Sequence, residues 1–295
     1  MLEGEIIQSQ SSMESLQPPS SKPSIQSLEL NLLQNNLSPK ESEAYFKMKE
    51  LSIVYVTSNV PNTDSHARFL EPEGLVRLLR AREWDVKKAH EMYVKWVNWR
   101  MEFKADQIDP ESIRSLLMKE TIILHGCDKK QRYCLVIRPR FHNPGSQTLE
   151  DLIRYGIYLI EQATERTERL GQKQLAVIYD RTGMASENRD SKLMKFSFQF
   201  VSLLQDYYAE RLSMLYVLSA NWVYRAAYTL MKPFLAQKTK EKILILSDFG
   251  QLKEYFDEDQ LLPEYGGTSQ FRYDPYTEYG LVKEVEEIDV VNKME

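Results

Sequence analysis

Charged side chains gather at the two ends of one apolar stretch, residues 207–246. They are Glu210 and Arg211 near its start and Lys238, Lys240 and Lys242 near its end. Six basic and two acidic residues lie from Glu210 to Lys242, in a chain whose net charge is -5. Ammonium and guanidinium groups can neutralise a phosphate, and the apolar residues between them favour hydrocarbon over water. The stretch therefore predicts a ligand that is both amphiphilic and anionic.

Asp180 is a candidate catalytic carboxylate, because it ends an apolar run and ligands of open parallel sheets gather at the carboxyl ends of strands. We favour a structural role, in which Asp180 caps the turn 180–183. The 11 glycines form no GxGxxG or GxxxxGK phosphate loop, and the GxSxG nucleophile motif is absent. We find no acid and base pair, so we expect no enzyme and no catalytic residue. A hydrolase that uses Asp180 is the alternative.

The composition limits the class of protein. A net charge of -5 argues against general nucleic-acid binding, which needs a concentrated excess of Lys and Arg. No apolar run approaches the roughly 18 residues of a membrane span. The N-terminus lacks the basic and then apolar pattern of a secretory signal. We therefore expect a soluble, cytoplasmic protein.

The cysteines and histidines give no sign of a metal site. The four histidines are scattered without the spacing of metal ligands, so we expect no metal. Cys127 and Cys134 flank a predicted hairpin, where a disulfide is geometrically possible. Unpaired reduced thiols are the favoured interpretation, because the chain has no secretory signal.

Strand-like and helical patterns alternate in the second half of the chain. The predicted strands are Tyr133–Arg138, Gln174–Asp180, Met214–Leu218 and Ile243–Leu246. Helical patterns over residues 148–171, 191–208 and 222–234 separate them. Because a strand, helix, strand order is typical of a right-handed crossover, we predict an α/β fold with a mainly parallel sheet of at least four strands.

Four segments divide the chain. Residues 1–36, with eight serines and no aromatic residue, are predicted to be a disordered tail. A helical subdomain follows over 37–105, where Ser38 and Glu41 form a predicted capping box and Asp85 caps a later helix. The α/β domain occupies 106–270. Residues 271–295 are expected to be an acidic tail, since 274–295 carry seven acidic and two basic residues.

The helical pattern at 222–234 has more apolar surface than covering a sheet requires. Its apolar residues include Trp222, Val223, Ala226, Leu230, Met231 and Phe234. The surplus face needs a partner of its own. Trp222, Tyr224 and Tyr228 suit the headgroup level of a membrane, or they are ordinary core residues; the spacing leaves both interpretations open.

Five phrases, in order along residues 65–270, carry a resemblance to a known family. They are LLRAREWDVKKA, LAVIYDRTG, QDYYAERL, KPFLAQKTKEKI and LLPEYGG. With these, the chain resembles the CRAL-TRIO lipid-binding family, and within it the yeast-type phosphatidylinositol transfer proteins. The resemblance implies a helical N-terminal subdomain on an α/β fold whose sheet floors a deep apolar pocket. It also implies that residues 222–234 form the helix that opens and closes this pocket, here named the gate helix.

The resemblance also implies a site for the phosphatidylinositol headgroup. The family motif falls on Arg82, Glu210, Thr239 and Lys242. Lysine and arginine can neutralise the phosphodiester, threonine can donate to a phosphate oxygen, and the carboxylate can accept from inositol hydroxyls. In the alternative interpretation, Arg82 and Glu210 merely form an ion pair.

The strand at 174–180 departs from the family. The Ser and Thr that serve phosphatidylcholine in these proteins are replaced by Leu175 and Val177. Each lost donor costs about 1–3 kcal/mol if a buried phosphate oxygen stays unsatisfied. We therefore expect weak phosphatidylcholine binding and a more apolar second ligand, such as a sterol. The usual proline before the gate helix is Asn221, which can cap it.

The resemblance implies a protein that binds phosphatidylinositol or another hydrophobic lipid and exchanges it during transient contact with a membrane surface. We expect the protein to be a monomer, although the sequence does not determine the oligomeric state. The bound phospholipid is its ligand, and no other cofactor is expected. A regulatory scaffold that senses lipid is the alternative function, and a carrier of another hydrophobic ligand such as a sterol is a second.

Overall fold

The structure, a computed structural model, describes residues 37–61, 66–145, 147–188 and 191–283, together with Glu29 and Leu32. The chain divides between Val94 and Lys95 into two compact units. Its helices are α1 (Pro39–Asn59), α2 (His66–Phe69), α3 (Pro72–Ala81), α4 (Val86–Phe103), α5 (Arg114–Leu117), α6 (Leu149–Arg169), α7 (Ser191–Tyr207), α8 (Trp222–Met231), α9 (Gln237–Lys240) and α10 (Pro275–Tyr279). Its strands are β1 (Ile122–Cys127), β2 (Tyr133–Ile137), β3 (Leu175–Asp180), β4 (Leu212–Leu218) and β5 (Ile243–Ile245).

Helix α1 begins at the predicted capping box. The Glu41 amide donates to Ser38 Oγ at 3.4 Å, and the Ser38 amide donates to the Glu41 carboxylate at 2.9 Å. These two bonds satisfy donors that have no partner within the helix. The helix then buries one face, composed of Tyr45, Met48, Ser52 and Val56.

Part of the predicted N-terminal tail packs on α1, so order begins before Ser38. The Glu29 carboxylate accepts from the Tyr45 hydroxyl at 3.1 Å and from Lys49 Nζ at 2.6 Å. Leu32 is only 2% exposed. The composition of residues 1–36 does not reveal these contacts, because one glutamate and one leucine make them and no run of apolar residues is involved. The rest of the predicted tail lies outside the described residues.

A tight turn separates α3 from α4. Glu83 and Trp84 both have positive φ, 51° and 64°, and the Trp84 amide donates to the Leu79 carbonyl at 2.8 Å. Asp85 then caps α4, since its Oδ1 accepts from the Lys88 amide at 3.1 Å. The cap predicted at Asp85 is confirmed.

The second unit contains a five-stranded sheet in the order β1-β2-β3-β4-β5. Strands β1 and β2 form an antiparallel hairpin, and the other neighbours pair in parallel. The predicted α/β class and the mainly parallel sheet are confirmed. The sequence pattern did not define β1, which adds a fifth strand.

Each face of the sheet has a different cover. On the first face, Ala176, Ile178 and Tyr216 are at most 1% exposed and pack with residues that follow β5. Those covering residues are Leu252, Phe256, Leu261, Leu262 and Tyr265. On the second face, Leu124, Leu135 and Leu175 pack against the buried side of α6. Helix α6 begins at the predicted cap Thr148, whose side chain accepts from the Asp151 amide at 3.1 Å.

The start of the expected C-terminal tail is packed rather than peripheral. Tyr279 and Leu281 are 7% and 5% exposed and belong to the core that α6 forms. The Tyr273 hydroxyl donates to the Leu117 carbonyl at 2.5 Å, and Glu278 forms an ion pair with Arg166. Aromatic and aliphatic residues in 271–283 therefore outweigh the acidic balance on which the prediction rested. Residues 284–295 lie outside the described part of the chain.

Candidate functional site

Three of the four predicted headgroup residues lie at the amino ends of β4 and β5. Glu210 precedes β4, and Lys242 precedes β5, with its carbonyl accepting from the Leu215 amide at 2.8 Å. Lys242 Nζ lies 3.6 Å from Glu210 Oε2. Thr239, on α9, is connected to Lys242 by a backbone hydrogen bond of 3.1 Å. Parallel pairing of β4 with β5 therefore brings Glu210, Thr239 and Lys242 to one edge of the sheet.

A second lysine joins this group. Lys238 Nζ lies 3.8 Å from Glu210 Oε1, so the carboxylate stands between two ammonium groups. Both distances exceed that of a hydrogen bond, so the carboxylate and the two ammonium groups form ion pairs without direct hydrogen bonds. Sequence analysis placed Lys238 in the basic run but not among the headgroup residues. The cluster presents two cations and one acceptor to solvent.

The backbone of Glu210 is in the left-handed region, with φ at 62°. Such a conformation costs a residue with a side chain about 1–2 kcal/mol, and its surroundings must enforce it. Gln174 Nε2 donates to the Glu210 carbonyl at 3.2 Å. The next residue, Arg211, forms an ion pair with Glu168 at 2.7 Å and donates to the Lys173 carbonyl at 3.1 Å. These contacts hold the backbone at Glu210 in its left-handed conformation.

A buried ionic group fixes the chain just before Glu210. Arg100 donates to both oxygens of Glu161 at 2.9 Å, and the Tyr208 hydroxyl donates to the same carboxylate. Burial, followed by the charge of Glu161, holds the pKa of Tyr208 well above its usual value. Tyr208 therefore remains a neutral donor. No sequence pattern marks this group, because its members come from three separate helical and loop segments.

Arg82, the fourth predicted residue, belongs to the other compact unit. It ends α3 as the C-cap residue. Its guanidinium donates to the Ala81 carbonyl at 3.1 Å, and the side chain is half-buried.

The second face of the sheet is apolar but incompletely covered beyond the α6 contact. Its half-buried residues are Val177, Tyr179, Leu215, Ile243 and Ile245. Register places them together, since Val177 pairs with Leu215, and Leu215 with Ile243. Val217, on the same face of β4, is fully buried, so the incompletely covered surface lies around it on β3, β4 and the edge strand β5. The two predicted second-ligand positions differ, because Val177 borders this surface whereas Leu175 is 3% exposed within the core.

The gate helix lies over this apolar surface. The Tyr224 ring is 6.1 Å from the Tyr179 ring of β3, measured between centroids. No residue of α8 is fully buried. Its half-buried side contains Val223, Tyr224, Ala227, Tyr228 and Met231, whereas Trp222, Ala226, Leu230 and Phe234 are exposed. Trp222 is 79% exposed, and Leu230 and Phe234 are each 66% exposed. The predicted surplus of apolar surface is confirmed.

The structure separates the three aromatic residues considered for a membrane interface. Trp222 points outward, whereas Tyr224 and Tyr228 stack on each other at 6.0 Å on the half-buried side. Burial, with smaller contributions from Tyr179 and Tyr228, raises the pKa of Tyr224 to about 12. Only Trp222 of the three therefore suits a membrane interface.

Both ends of the gate helix are attached to neighbouring elements. The predicted cap is present, since Asn221 Oδ1 accepts from the Tyr224 amide at 3.1 Å. Ser219 Oγ lies 2.8 Å from Thr182 Oγ1. At the other end, Gln205 of α7 donates to the Phe234 carbonyl at 2.9 Å and accepts from the Ala236 amide at 2.8 Å. The Gln205 amide thus binds the backbone on both sides of Leu235.

A pocket of about 400 Å³ opens at the carboxyl ends of β4 and β5, the opposite edge from Glu210. Its lining comprises Ser219, Ala220, Asn221, Arg225, Ile245, Leu246 and Ser247. The pocket therefore adjoins the start of the gate helix and the apolar second face.

Asp180 has the turn-capping role predicted for it. Its Oδ1 accepts from the Thr182 amide at 2.9 Å, and its Oδ2 accepts from the Tyr265 hydroxyl at 3.1 Å and from Arg140 at 2.5 Å. Both carboxylate oxygens are engaged in structural bonds, which weakens the hydrolase hypothesis.

Neither a membrane-spanning helix nor a metal cluster occurs in the described residues. None of the helices within those residues is long and apolar enough to cross a membrane. In the same residues, no three His, Cys, Asp or Glu side chains are grouped so that they could hold a metal ion. Cys127 and Cys134 are both free thiols.

Comparison with known proteins gives consistent matches. The model of the CRAL/TRIO domain matches residues 117–267, and that of the CRAL/TRIO N-terminal domain matches residues 30–95. A CRAL-TRIO domain-containing protein of Schizosaccharomyces pombe is 29% identical over 218 residues, covering 69% of this chain and 47% of the relative. Phosphatidylinositol transfer protein CSR1 of Eremothecium gossypii is 26% identical over 218 residues, covering 68% and 48%. The chain thus spans about half the length of these curated relatives.

The fold also has a counterpart among solved structures. A crystal structure of Sfh5 superposes with a TM-score of 0.64 at 17% identity, covering 80% of this chain and 89% of that one. At this identity the likeness concerns the fold alone. The two domain matches show that the chain belongs to the CRAL-TRIO family, and the five-stranded sheet with its crossover helices agrees with them.

Proposed function

We propose that this protein binds phosphatidylinositol and exchanges it between membranes, with the acyl chains lying between the second face of the sheet and the gate helix. The observation that carries the proposal is the half-buried apolar surface of β3, β4 and β5 beneath α8. Apolar surface left accessible inside a domain is typical of a ligand site. The relative named a phosphatidylinositol transfer protein supports the choice of lipid.

The headgroup would bind at the amino ends of β4 and β5. Lys242 and Lys238 supply positive charge for the phosphodiester, and the Thr239 hydroxyl can donate to a phosphate oxygen. Glu210 can accept from inositol hydroxyls. Arg82 is the fourth residue that the resemblance assigns to the headgroup, and Arg82→Ala tests its contribution separately.

The energetics of acyl chains require a membrane for exchange. Each CH₂ withdrawn from water contributes about 0.8 kcal/mol, so two chains of ~16 carbons contribute roughly 25 kcal/mol. Release into water is therefore negligible. The exposed Trp222, Leu230 and Phe234 provide an apolar contact with a bilayer, and the adjacent Arg225 and Lys232 favour anionic lipid. We infer transient peripheral contact through the outer side of the gate helix.

Transfer of labelled phosphatidylinositol between vesicles tests the proposal. Wild-type protein should transfer it, and Lys242→Ala should lower the rate about tenfold or more, because a charge-assisted contact contributes about 1.5–3 kcal/mol. The matched control is Lys130→Ala, which removes the same charge from an exposed residue in the β1–β2 turn. Absence of transfer by the wild-type protein would favour the regulatory scaffold.

A carrier of a more apolar lipid is the second candidate function. Leu175 and Val177 supply no hydrogen-bond donor from the second face of β3. Because only Val177 borders the apolar surface, the wild-type protein should transfer phosphatidylcholine about 5- to 150-fold less well than phosphatidylinositol, as one lost donor would cost about 1–3 kcal/mol. Equal transfer of the two lipids would show that other groups bind the choline phosphate.

A further inference from the structure

Tyr179 brings a hydroxyl to the otherwise aliphatic second face of β3. It follows Leu175 and Val177 at a spacing of two residues, which places all three side chains on the same side of the strand. Its neighbours in register are Ile137 of β2 and Val217 of β4. The Tyr179 hydroxyl is therefore the one polar group on this face of β3, and the charge of Arg181 lies near enough to act on it.

Tyr224 of the gate helix approaches Tyr179 from above the sheet. The ring centroids are 6.1 Å apart and the rings are inclined by 48°. The guanidinium of Arg181 lies 5.1 Å from the Tyr224 ring centroid, a cation–π contact that restricts the orientation of that ring. One phenol thus belongs to the fixed sheet and the other to the gate helix.

Neither of these two hydroxyls makes a hydrogen bond to the part of the chain that the structure describes. Other tyrosines of the same unit are paired, since the hydroxyls of Tyr208, Tyr265 and Tyr273 donate to Glu161, Asp180 and the Leu117 carbonyl. Burial raises the pKa of both Tyr179 and Tyr224, so both are neutral at physiological pH and can donate as well as accept. Partly buried hydroxyls without a protein partner usually bind water or a ligand.

We propose that the Tyr179 and Tyr224 hydroxyls form a polar subsite for a neutral hydrophobe that carries a single hydroxyl or carbonyl group. Two neutral phenols match one such group, whereas Val177 and Leu215, which pair in register on the same face, offer contact only to hydrocarbon. The inference rests on the proposed function, because it requires that the apolar second face accept a lipid. It names the chemical class of the second ligand and the residues that recognise it.

The subsite couples the ligand to the position of the gate helix. A ligand oxygen bonded to both phenols connects β3 with α8, and opening of the gate helix would break that connection. A hydrocarbon without an oxygen gains nothing from Tyr179 or Tyr224. The protein should therefore bind an alcohol more tightly than the alkane of equal chain length, and this difference should depend on the two tyrosine hydroxyls.

Extraction from phosphatidylcholine vesicles that contain radiolabelled 1-hexadecanol, hexadecane and phosphatidylinositol tests the proposal. The wild-type protein should extract all three, and Tyr179→Phe or Tyr224→Phe should lower the ratio of alcohol to alkane extracted about twofold to tenfold. Tyr228→Phe is the matched control. It removes a hydroxyl from the same helix but leaves the Tyr179 and Tyr224 hydroxyls in place, so the ratio should be unchanged. Unaltered melting temperatures show that the variants fold.

The outcomes separate the two proposals. An unchanged ratio in both Tyr179→Phe and Tyr224→Phe, with phosphatidylinositol still extracted, would overturn the subsite and leave the proposed function standing. Extraction of hexadecanol in a Tyr179-dependent manner without phosphatidylinositol would support the subsite and overturn the proposed headgroup. If the wild-type protein extracts none of the three, both proposals are wrong.

Discussion

Glu210 occupies a strained backbone position, and the residues around it show how the strain is maintained. Its carbonyl is bonded to Gln174, and Arg211 is fixed by Glu168. Tyr208 is bonded to Glu161, which is itself paired with Arg100. Strained residues that persist in this way are concentrated at functional sites. The strained residue carries the carboxylate that lies between the ammonium groups of Lys238 and Lys242.

Glu161→Gln tests the buried ionic group at the residue scale. Arg100 is 5% exposed in its side chain, and removal of the opposite charge would leave its guanidinium buried with weaker compensation. We expect the free energy of unfolding to fall by about 3–5 kcal/mol, measured by urea denaturation. Glu165→Gln, on the same helix but in an exposed pair with Arg169, should cost less than about 1 kcal/mol. Similar losses in both variants would contradict the account.

His125 predicts a pH dependence of stability. Its ring stacks on Phe271 at 4.4 Å, and burial lowers its pKa from 6.5 to about 4. Between these values the unfolded chain binds a proton that the folded chain does not, so the stabilisation is present above about pH 6.5 and is lost as the pH falls toward 4. The free energy of unfolding should decline over this interval by on the order of 1–3 kcal/mol.

The comparison variant for this effect is His125→Phe, which retains the aromatic stack but cannot titrate. Denaturation at several pH values should give a smaller slope for His125→Phe than for the wild-type protein between pH 6.5 and 4. Equal slopes would show that other groups determine the pH dependence.

At the scale of elements, the gate helix has no fully buried residue, whereas α6 buries a whole face that includes Tyr155, Leu159 and Ala163. Its attachments are therefore at its ends. Gln205 binds the backbone at Phe234 and Ala236, with Leu235 buried between them, whereas Ser219 and Thr182 form an exposed contact at the start. If the gate helix opens as proposed, this asymmetry predicts that the end near Leu235 stays fixed and that the end near Trp222 moves.

Gln205→Ala should loosen the fixed end without unfolding the protein. Two hydrogen bonds to the backbone are lost, each contributing about 0.5–1.5 kcal/mol, so amide exchange at Ala236 should accelerate about fivefold or more. Hydrogen exchange measured by mass spectrometry or NMR reports this directly. Gln199→Ala, an exposed change on the same helix, is the control. If Ala236 exchanges equally fast in the wild-type protein and in both variants, Gln205 does not fix the gate helix.

At the scale of the whole molecule, the periodicity of apolar residues predicts the parallel sheet and the crossover helices. The residue types at Ser38, Asp85, Thr148 and Asn221 predict the helix caps. Caps and crossovers depend on residues close in sequence, which a pattern can reveal. The basic run around Lys242 likewise contains the two lysines that lie beside Glu210 in the structure.

Contacts between distant segments were not predictable in the same way. Arg100, Glu161 and Tyr208 lie 61 and 47 residues apart and meet only because α4, α6 and the approach to β4 converge. The side of the gate helix that carries Tyr224 was also undetermined, since apolar residues surround the helix and leave no single face. The contacts of Leu32 and of the segment around Tyr279 do not follow from composition, which averages over individual residues.

Native mass spectrometry of the full chain after incubation with mixed-lipid vesicles tests the central claim most directly. The account predicts one phosphatidylinositol molecule per chain in the wild-type protein, and a large loss of this species in Lys242→Ala but not in Lys130→Ala. A wild-type protein that carries no phosphatidylinositol, or that carries it equally in Lys242→Ala, would contradict the claim that the lipid binds with its headgroup at Glu210, Thr239 and Lys242.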